Sequence, residues 1–299
     1  MKYFSISDMS GYMNELLRQK PCGTVHSVYR KTINLSIGGT LAALQAKGSP
    51  LSPISLITTL TSEEFALLEI KANDIVTIQG DNIIIHKSNV DTICFSYNQA
   101  KIYNLDLKHS VDNTKKRSDI SVLSNLHCCI KKSLSQISTG GFEIIFNHRI
   151  DADTSMILIA ANNKIKKCTD LYIDKKYKET SIELARLIGL GIGLTPSGDD
   201  FLCGILAGLI LTGHTESEFA LSLKSSISEH LSDTVDVSAA FLRCALKGQF
   251  SLAVNHLATA TVENVPEIVE EFLAIGHSSG TDTLCGILYI LELIFNQKS

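Results

Sequence analysis

Two segments in the second half of the chain carry nearly the same ten residues, and those residue types suit the binding of a small polar ligand. Residues 197–206 are Ser-Gly-Asp-Asp-Phe-Leu-Cys-Gly-Ile-Leu, and residues 279–288 are Ser-Gly-Thr-Asp-Thr-Leu-Cys-Gly-Ile-Leu, so that eight of the ten positions are identical. Each copy follows a glycine typical of a helix end and opens a new apolar segment. The repeat therefore predicts two helix N-termini that serve one site.

The loop before the first copy, Gly-Ile-Gly-Leu-Thr-Pro at residues 191–196, has the composition of an anion-binding loop. Its glycines let backbone N–H groups approach a ligand, and the free N–H groups and dipole of a helix N-terminus favour an anion. The loop lacks the Gly-Lys-Ser/Thr of a P-loop and the third glycine of a dinucleotide fingerprint. We therefore expect an anion site outside both classes of nucleotide-binding motif.

Three carboxylates, Asp199, Asp200 and Asp282, lie at the starts of the two predicted helices. Such groups could hold a divalent metal, accept hydrogen bonds from an amide or amine, or orient a neighbouring cation. Because carboxylates repel an anion, an anionic ligand would need a metal or a basic side chain, and the candidates are Arg243 between the two copies and Arg186 before the first. His277, inside the second loop, is either a proton carrier or ligand, or a histidine at a helix end.

A structural interpretation competes with the ligand site. Ser197-x-x-Asp200 and Ser279-x-x-Asp282 each fit an acidic capping box, in which the serine and the aspartate bond the helix start reciprocally. Two features favour a ligand: the adjacent Asp199 is more acid than a cap needs, and the glycine after each serine costs about 0.8–1.0 kcal/mol in a helix interior. Duplication of a helical hairpin would also explain the repeat.

Composition excludes several classes of function. The 299 residues carry a net charge of −4, so we expect no general attraction to nucleic acid or to an anionic membrane. No apolar run reaches the roughly 18 residues that span a bilayer, and the N-terminus lacks a secretory apolar region. The eight cysteines form no C-x-x-C pair and indicate free thiols in a cytoplasmic protein.

The elements that must position these residues fall into two regions. The chain is predicted to be α+β, with an N-terminal β-rich, barrel- or sandwich-like domain at 1–110 and a C-terminal all-α domain at 119–299 that carries the repeated Ser-Gly-x-Asp loops. A polar linker is expected at 109–118. Strands are predicted at 25–29, 32–37, 54–57, 75–78, 83–85, 93–97 and 102–105. Helices are predicted at 7–17, 38–44, 120–137, 180–190, 215–231, 233–246, 250–260, 266–275 and 281–295, and a strand or buried turn at 142–146.

Residues 193–202, Gly-Leu-Thr-Pro-Ser-Gly-Asp-Asp-Phe-Leu, followed by Gly204, resemble the signature of the AllH-type proteins. The resemblance extends more loosely through residues 25–35 and 238–248. It implies a subunit of oxamate carbamoyltransferase, an enzyme of anaerobic allantoin and purine breakdown. Three different subunits are implicated there in the transfer of a carbamoyl group between oxalurate and phosphate, which gives oxamate and carbamoyl phosphate.

The chemistry of carbamoyl transfer suggests roles for the residues named above. Loop residues would bind the small anionic, carbamoyl-bearing substrate: Gly193, Thr195, Pro196, Ser197, Gly198, His277, Ser279 and Gly280. The catalytic set would be Asp199, Asp200 and Asp282, holding the carbamoyl amide or a divalent metal such as Mg²⁺ or Mn²⁺, with Arg243 balancing charge. Two alternatives stay open: a non-catalytic binding or regulatory subunit of a multi-subunit complex, and a metal-dependent phosphate-handling enzyme.

Overall fold

A computed structural model describes residues 2–19, 21–87, 91–113 and 120–296 of the chain. The chain divides into two compact units, Met1–Leu105 and Asp106–Ser299. Strands fill the first unit and helices the second, which confirms the predicted α+β class with a β-rich N-terminal part and a helical C-terminal part. Among the described residues, every helix is too short or too polar to cross a membrane.

The first unit is built around a closed β-barrel of eight strands. Its strands are β1 (Lys2–Ser10), β2 (Cys22–Val28), β3 (Thr32–Ile37), β4 (Thr40–Gln45), β5 (Ser55–Thr58), β6 (Ile75–Gln79), β7 (Asn82–His86) and β8 (Thr92–Ser96), with β9 (Lys101–Tyr103) beside them. The order β5-β4-β3-β2-β6-β7-β8-β1 closes when β1 pairs antiparallel with β5. A closed barrel has few exposed strand edges, and among the described strands only β9 extends the sheet, parallel to β1.

Apolar residues from several strands fill the barrel. Ile33, Leu35 and Ile37 on β3 are all buried. The strands predicted at 75–78 and 83–85 are confirmed as a hairpin: β6 and β7 pair antiparallel up to Gln79 and Asn82. The side chains that share one face of each strand thus form the core of the first unit.

Two helix predictions in the first unit are wrong in part or wholly. Residues 7–10 continue β1, and helix α1 occupies Gly11–Gln19. The segment 38–44 is no helix, because Gly38 and Gly39 take φ values of 55° and 78° and turn β3 back onto β4. Two successive positive φ angles are the geometry of a two-residue hairpin. A short helix that was not predicted, α2 (Ser62–Ala66), begins with a capping box from Thr61.

The regular secondary structure of the second unit's described residues is helical, apart from an isolated bridge between Asp106 and Gln249. Its helices are α3 (Leu107–Asn113), α4 (Ile120–Ser135), α5 (Glu143–Phe146), α6 (Met156–Ile173), α7 (Tyr177–Ala185), α8 (Ser197–Leu211), α9 (Glu218–Glu229), α10 (Asp236–Leu246), α11 (Leu252–His256), α12 (Val265–Leu273) and α13 (Ser279–Asn296). Helices α8 and α13 are buried along nearly their whole length, as expected of helices that are apolar on all sides.

Several boundaries in the second unit differ from the predictions. The segment 142–146 is a helical turn, α5, and α6 was not predicted. Helix α7 begins at Tyr177, so Thr180 lies inside it and donates to the Lys176 carbonyl instead of capping. Ser217, not Thr215, caps α9. The predicted linker at 109–118 starts inside α3, and its residues 114–118 lie outside the described residues.

Candidate functional site

The two copies of the repeat meet in space. Helices α8 and α13 pack against each other at Gly204 and Gly286, which occupy the same position in their copies. A Cβ atom on Gly204 would overlap the Thr283 carbonyl oxygen, and one on Gly286 would overlap the Phe201 carbonyl oxygen. Because each contact is the counterpart of the other, the copies form a pair with approximate two-fold symmetry.

The glycine after each serine allows the start of its helix to pack closely against the preceding helical segment. A Cβ on Gly198 would overlap the Leu187 carbonyl oxygen, and one on Gly280 would overlap that of Phe272. The Gly198 N–H donates to the Leu190 carbonyl at 2.9 Å. The close approach that these glycines predicted is therefore made by the chain's own backbone.

The N–H groups at the starts of α8 and α13 are already bonded. Gly280 N donates to the Ile275 carbonyl at 3.1 Å, and Asp282 N to the Ser278 carbonyl at 2.8 Å. Asp199 N donates to the Pro196 carbonyl at 2.9 Å. These N–H groups, expected to be free for an anion, have partners within the chain.

A cavity of about 350 Å³ opens beside the two repeat loops, residues 191–196 and 276–278. The first loop and its helix contribute Gly191, Ile192 and Ser197, and the second loop contributes His277 and Ser278. The remaining described residues that line the cavity are Thr139, Gly140, Phe142, Ser155, Ile157 and Leu158. The structure thus brings both loops to one cavity, as the repeat predicted.

Two walls of the cavity were not identified from the sequence. One is the 139–142 loop, Thr-Gly-Gly-Phe, between α4 and α5, and the other is the start of α6, where Ser155 caps the helix. The adjacent Gly140 and Gly141 were the available signal for the loop. Gly141 leaves no room for a side chain, because a Cβ there would overlap Asp282 Oδ1.

Asp282 lies behind the cavity wall and is fully buried. Its Oδ1 accepts a hydrogen bond from Phe142 N at 2.7 Å, whereas Oδ2 has no hydrogen-bond partner. Burial raises the pKa of Asp282 to about 7, although Phe142 N and the hydroxyls of Ser197 and Ser278 act to lower it. The negative charge of Glu143 raises this pKa further. The carboxyl group is therefore poised to exchange a proton near neutral pH.

Glu143, at the start of α5, is a second buried carboxylate beside the cavity. Its Oε1 accepts hydrogen bonds from Thr139 N at 2.7 Å and Gly140 N at 2.8 Å, and its Oε2 has no partner. Sequence reasoning did not select this residue. Together with Asp282, it takes three of the backbone N–H groups of the 139–142 loop.

Asp200 is the counterpart of Asp282 in the first copy. Burial, followed by the charge of Asp282, raises its pKa well above the usual range, and the hydroxyls of Ser279 and Thr195 oppose this. Those hydroxyls lie 2.7 Å apart, and Asp200 Oδ2 has no hydrogen-bond partner. Asp200 thus interacts with the serine of the second copy, as Asp282 does with Ser197 of the first.

This exchange of partners overturns the capping-box interpretation. The cap position of α8 is Pro196, and no side chain bonds the helix start there. The aspartate of each copy faces the serine of the other copy, so the Ser-Gly-x-Asp element holds the two helices together.

Asp199 has a different environment from the other two aspartates. Its Oδ1 accepts from Gly189 N at 3.0 Å, and its Oδ2 accepts from the hydroxyls of Thr234 and Ser238, both at 2.6 Å. Burial raises the pKa of Asp199, and these hydrogen bonds oppose the shift. Both oxygens are used in joining the start of α8 to the residues around α10, which is a structural role.

The other predicted site residues are divided between the cavity and its surroundings. His277 is exposed at the rim of the cavity, and Gly193 is exposed with a φ of 106°. Arg243 is exposed on α10 and does not belong to the described residues that line the cavity. Across the described part of the chain, no group of three or more His, Cys, Asp or Glu side chains is placed to hold a metal ion.

Comparison with known families identifies this helical pair and the barrel. The family model described as oxamate carbamoyltransferase subunit AllH matches residues 187–291, which include both repeat loops and most of α8 and α13. A second model, the AllH family N-terminal domain, matches residues 4–102. The chain belongs to the AllH family. The AllH match covers the two repeat loops that line the cavity, whereas the 139–142 loop and the start of α6 lie between the two matched ranges. No solved structure matches the chain.

The AllH family is described as a carbamoyltransferase subunit, and the cavity offers the groups that a small polar ligand needs. The hydroxyls of Ser155, Ser197 and Ser278 can donate or accept hydrogen bonds, and α6 begins at the cavity with the positive end of its dipole. The site is suited to binding and orienting a small ligand.

Proposed function

We propose that this chain is the AllH-type subunit of an oxamate carbamoyltransferase, acting in the cytoplasm in anaerobic allantoin and purine breakdown. The cavity of about 350 Å³ would bind the small carbamoyl-bearing anion. One observation carries the proposal: both copies of the repeat, which lie inside the segment matched by the AllH family, converge on that cavity.

The proposed reaction transfers the carbamoyl group between oxalurate and phosphate. A phosphate oxygen attacks the terminal carbamoyl carbon of oxalurate, the bond from that carbon to the internal nitrogen breaks, and the nitrogen takes a proton to give oxamate. Negative charge develops on the carbamoyl oxygen during attack, so hydrogen-bond donors near that atom stabilise the transition state. Holding both substrates in place lowers the activation barrier by several kcal/mol, and this requires no covalent intermediate on the protein.

The charge of the cavity supports a complex of several subunits. The described residues that line it include no lysine or arginine, and two buried acids, Glu143 and Asp282, lie behind its wall. Oxalurate and phosphate are anions, and the dipole of α6 alone offsets only part of a full negative charge. We therefore propose that another subunit of the carbamoyltransferase complex supplies the cation.

The deciding experiment assays carbamoyl transfer from carbamoyl phosphate to oxamate, with the purified chain alone and then with the proteins encoded beside it. We expect transfer only in the assembled complex. Transfer by the chain alone would exclude the alternative of a non-catalytic binding or regulatory subunit. Absence of transfer in the assembled complex would overturn the proposed reaction.

A metal-dependent, phosphate-handling enzyme is the second candidate. The observation in its favour is that Glu143, Asp200 and Asp282 each keep one unpartnered carboxylate oxygen, the ligand type that Mg²⁺ and Mn²⁺ prefer, although the three side chains are not grouped to hold one ion together. Calorimetry with each ion should then show binding that Asp200→Asn abolishes. An absence of heat with both ions would remove this candidate.

A further inference from the structure

The 139–142 loop resembles an anion-binding turn, but its backbone donors are already used. Thr139 N and Gly140 N donate to Glu143 Oε1, and Phe142 N donates to Asp282 Oδ1, at 2.7–2.8 Å. A run of N–H groups in a glycine-rich turn would otherwise form an anion-binding nest. Two buried carboxylates therefore occupy the positions that an anionic ligand would need.

The carboxylates also leave acceptor capacity unused on this side of the cavity. Glu143 Oε2 and Asp282 Oδ2 are buried without a hydrogen-bond partner, and both residues are 0% exposed. A buried acceptor without a donor is costly, and two neighbouring acids without a cation are more so. Both oxygens lie behind the wall and out of reach of a ligand in the cavity, so the two acids act on a ligand through their negative charge, which favours N–H donors and disfavours a carboxylate or phosphate.

Ser197 and Ser278 line the cavity and also act on the ionisation of Asp282. Both interact with Asp282 and lower its pKa, which is the effect of a hydroxyl that donates toward a carboxylate. A hydroxyl that donates its proton to Asp282 has only lone pairs left for the cavity. Both serines line the cavity, so this side of it presents acceptors.

We propose that Glu143 and Asp282 are positioning residues that make this wall an acceptor surface, where the ligand places an amide NH₂ group and from which an isosteric carboxylate is excluded. The identity of the amide as a carbamoyl or oxamate nitrogen rests on the proposed function. The wall's preference for N–H donors over carboxylates does not depend on the proposed function. The anionic end of the ligand then lies toward the start of α6.

Oxamate and oxalate test the proposal, because a neutral amide NH₂ in oxamate replaces an ionised carboxylate oxygen in oxalate, which changes both the donor and the charge that face the wall. Calorimetry at pH 8, where Asp282 is ionised, with the full chain or with the assembled complex, should show oxamate binding at least about tenfold more tightly than oxalate, a difference of about 1.4 kcal/mol. Equal affinities, or tighter binding of oxalate, would overturn the proposal.

Isosteric variants separate positioning from a general effect on folding. Glu143→Gln keeps an oxygen for Thr139 N and Gly140 N but removes the charge, so the oxamate-to-oxalate ratio should fall toward one. Asp282→Asn should act in the same way. The matched control is Glu183→Gln, which changes a carboxylate bonded to Lys167 and Arg186 on α7 and should leave the ratio unchanged. Equal weakening of both ligands in the two cavity variants would indicate a purely structural role.

Two further measurements keep the outcomes distinct. If Glu143→Gln does not fold, Ser278→Ala serves instead, and it should weaken oxamate while leaving oxalate unchanged. If the complex does not transfer carbamoyl groups, acetamide and acetate probe the wall alone, and a preference for acetamide would retain the acceptor surface without the proposed reaction. Transfer together with equal inhibition by oxamate and oxalate would retain the reaction and reject the acceptor surface.

Discussion

Gly204 and Gly286 lie directly against each other where α8 and α13 cross, with each glycine facing the backbone of the other's helix. The two residues hold the same position in the repeated segment, so the contact is reciprocal. This crossing brings the two helix starts close enough for the aspartate of each copy to face the serine of the other.

Replacing Gly204 by Ala should destabilise the protein strongly. The added methyl would overlap the Thr283 carbonyl oxygen, which is backbone and cannot rotate away. Overpacking of this kind costs about 3 kcal/mol or more, well above the gain of about 1 kcal/mol in helix propensity. Urea unfolding measures the change in the free energy of unfolding.

The matched variant is Gly208→Ala, whose Cβ meets only the Ile290 side chain, at 3.0 Å. Its free energy of unfolding should fall by less than about 1 kcal/mol. Equal losses would mean that the helices do not cross at Gly204.

The exchange of partners between the copies predicts a specific pattern of energetic coupling. A double-mutant cycle with Asp200→Asn and Ser279→Ala should give a coupling energy of about 0.5 kcal/mol or more, because the two side chains interact. The cycle with Asp200→Asn and Ser197→Ala should give a value near zero. Free energies of unfolding of the single and double variants measure both. The opposite ranking would restore the capping box within one copy.

Asp199 should contribute to the stability of the folded protein and not to the catalysed reaction. Asp199→Ala removes the acceptor for Gly189 N and for the hydroxyls of Thr234 and Ser238. We expect a loss of about 3 kcal/mol or more in the free energy of unfolding, because hydrogen bonds to a buried charged group contribute about 1.5–3 kcal/mol each. Asp174→Ala, which removes an exposed acid paired with Lys176, should change the free energy by about 0.5 kcal/mol or less. A stable but inactive Asp199→Ala protein would return Asp199 to the catalytic set.

The raised pKa of Asp282 predicts a pH dependence of stability. In the unfolded chain an aspartate ionises near pH 4, whereas in the folded protein Asp282 keeps its proton to about pH 7. Between these values the folded state binds more protons than the unfolded state. The contribution of Asp282 to stability is therefore fully present below about pH 4, is lost as pH rises, by up to about 1.4 kcal/mol per pH unit, and levels off above pH 7.

Asp282→Asn should remove this slope, because asparagine does not titrate in that range. Thermal unfolding of the two proteins between pH 4 and pH 8 makes the comparison. The stability of the variant relative to the wild type should increase as pH rises. Parallel curves would show that Asp282 ionises in the folded protein at its ordinary pKa.

The local elements followed from the sequence where one physical signal dominated. Short apolar segments between turn residues predicted β3, β6 and β7, and apolar segments of helical length predicted α4 and α13. The prediction failed where backbone conformation overrode composition: Gly38 and Gly39 form a hairpin turn in a segment of otherwise helix-forming residues. Thr180 was mistaken for a cap because the helix starts earlier, at Tyr177.

The repeat, its small residues and its acids were evident from the sequence alone, and so was the family. Which partner each group takes was decided only by the tertiary structure. Asp199 and Asp200 are adjacent in the chain, yet one is fully hydrogen-bonded and the other keeps an unpartnered oxygen. Glu143 carried no sequence signal, because its role depends on a loop that meets Asp282 across 140 positions of the chain. Burial and hydrogen bonding depend on which segments pack together, and spacing along the chain does not determine that packing.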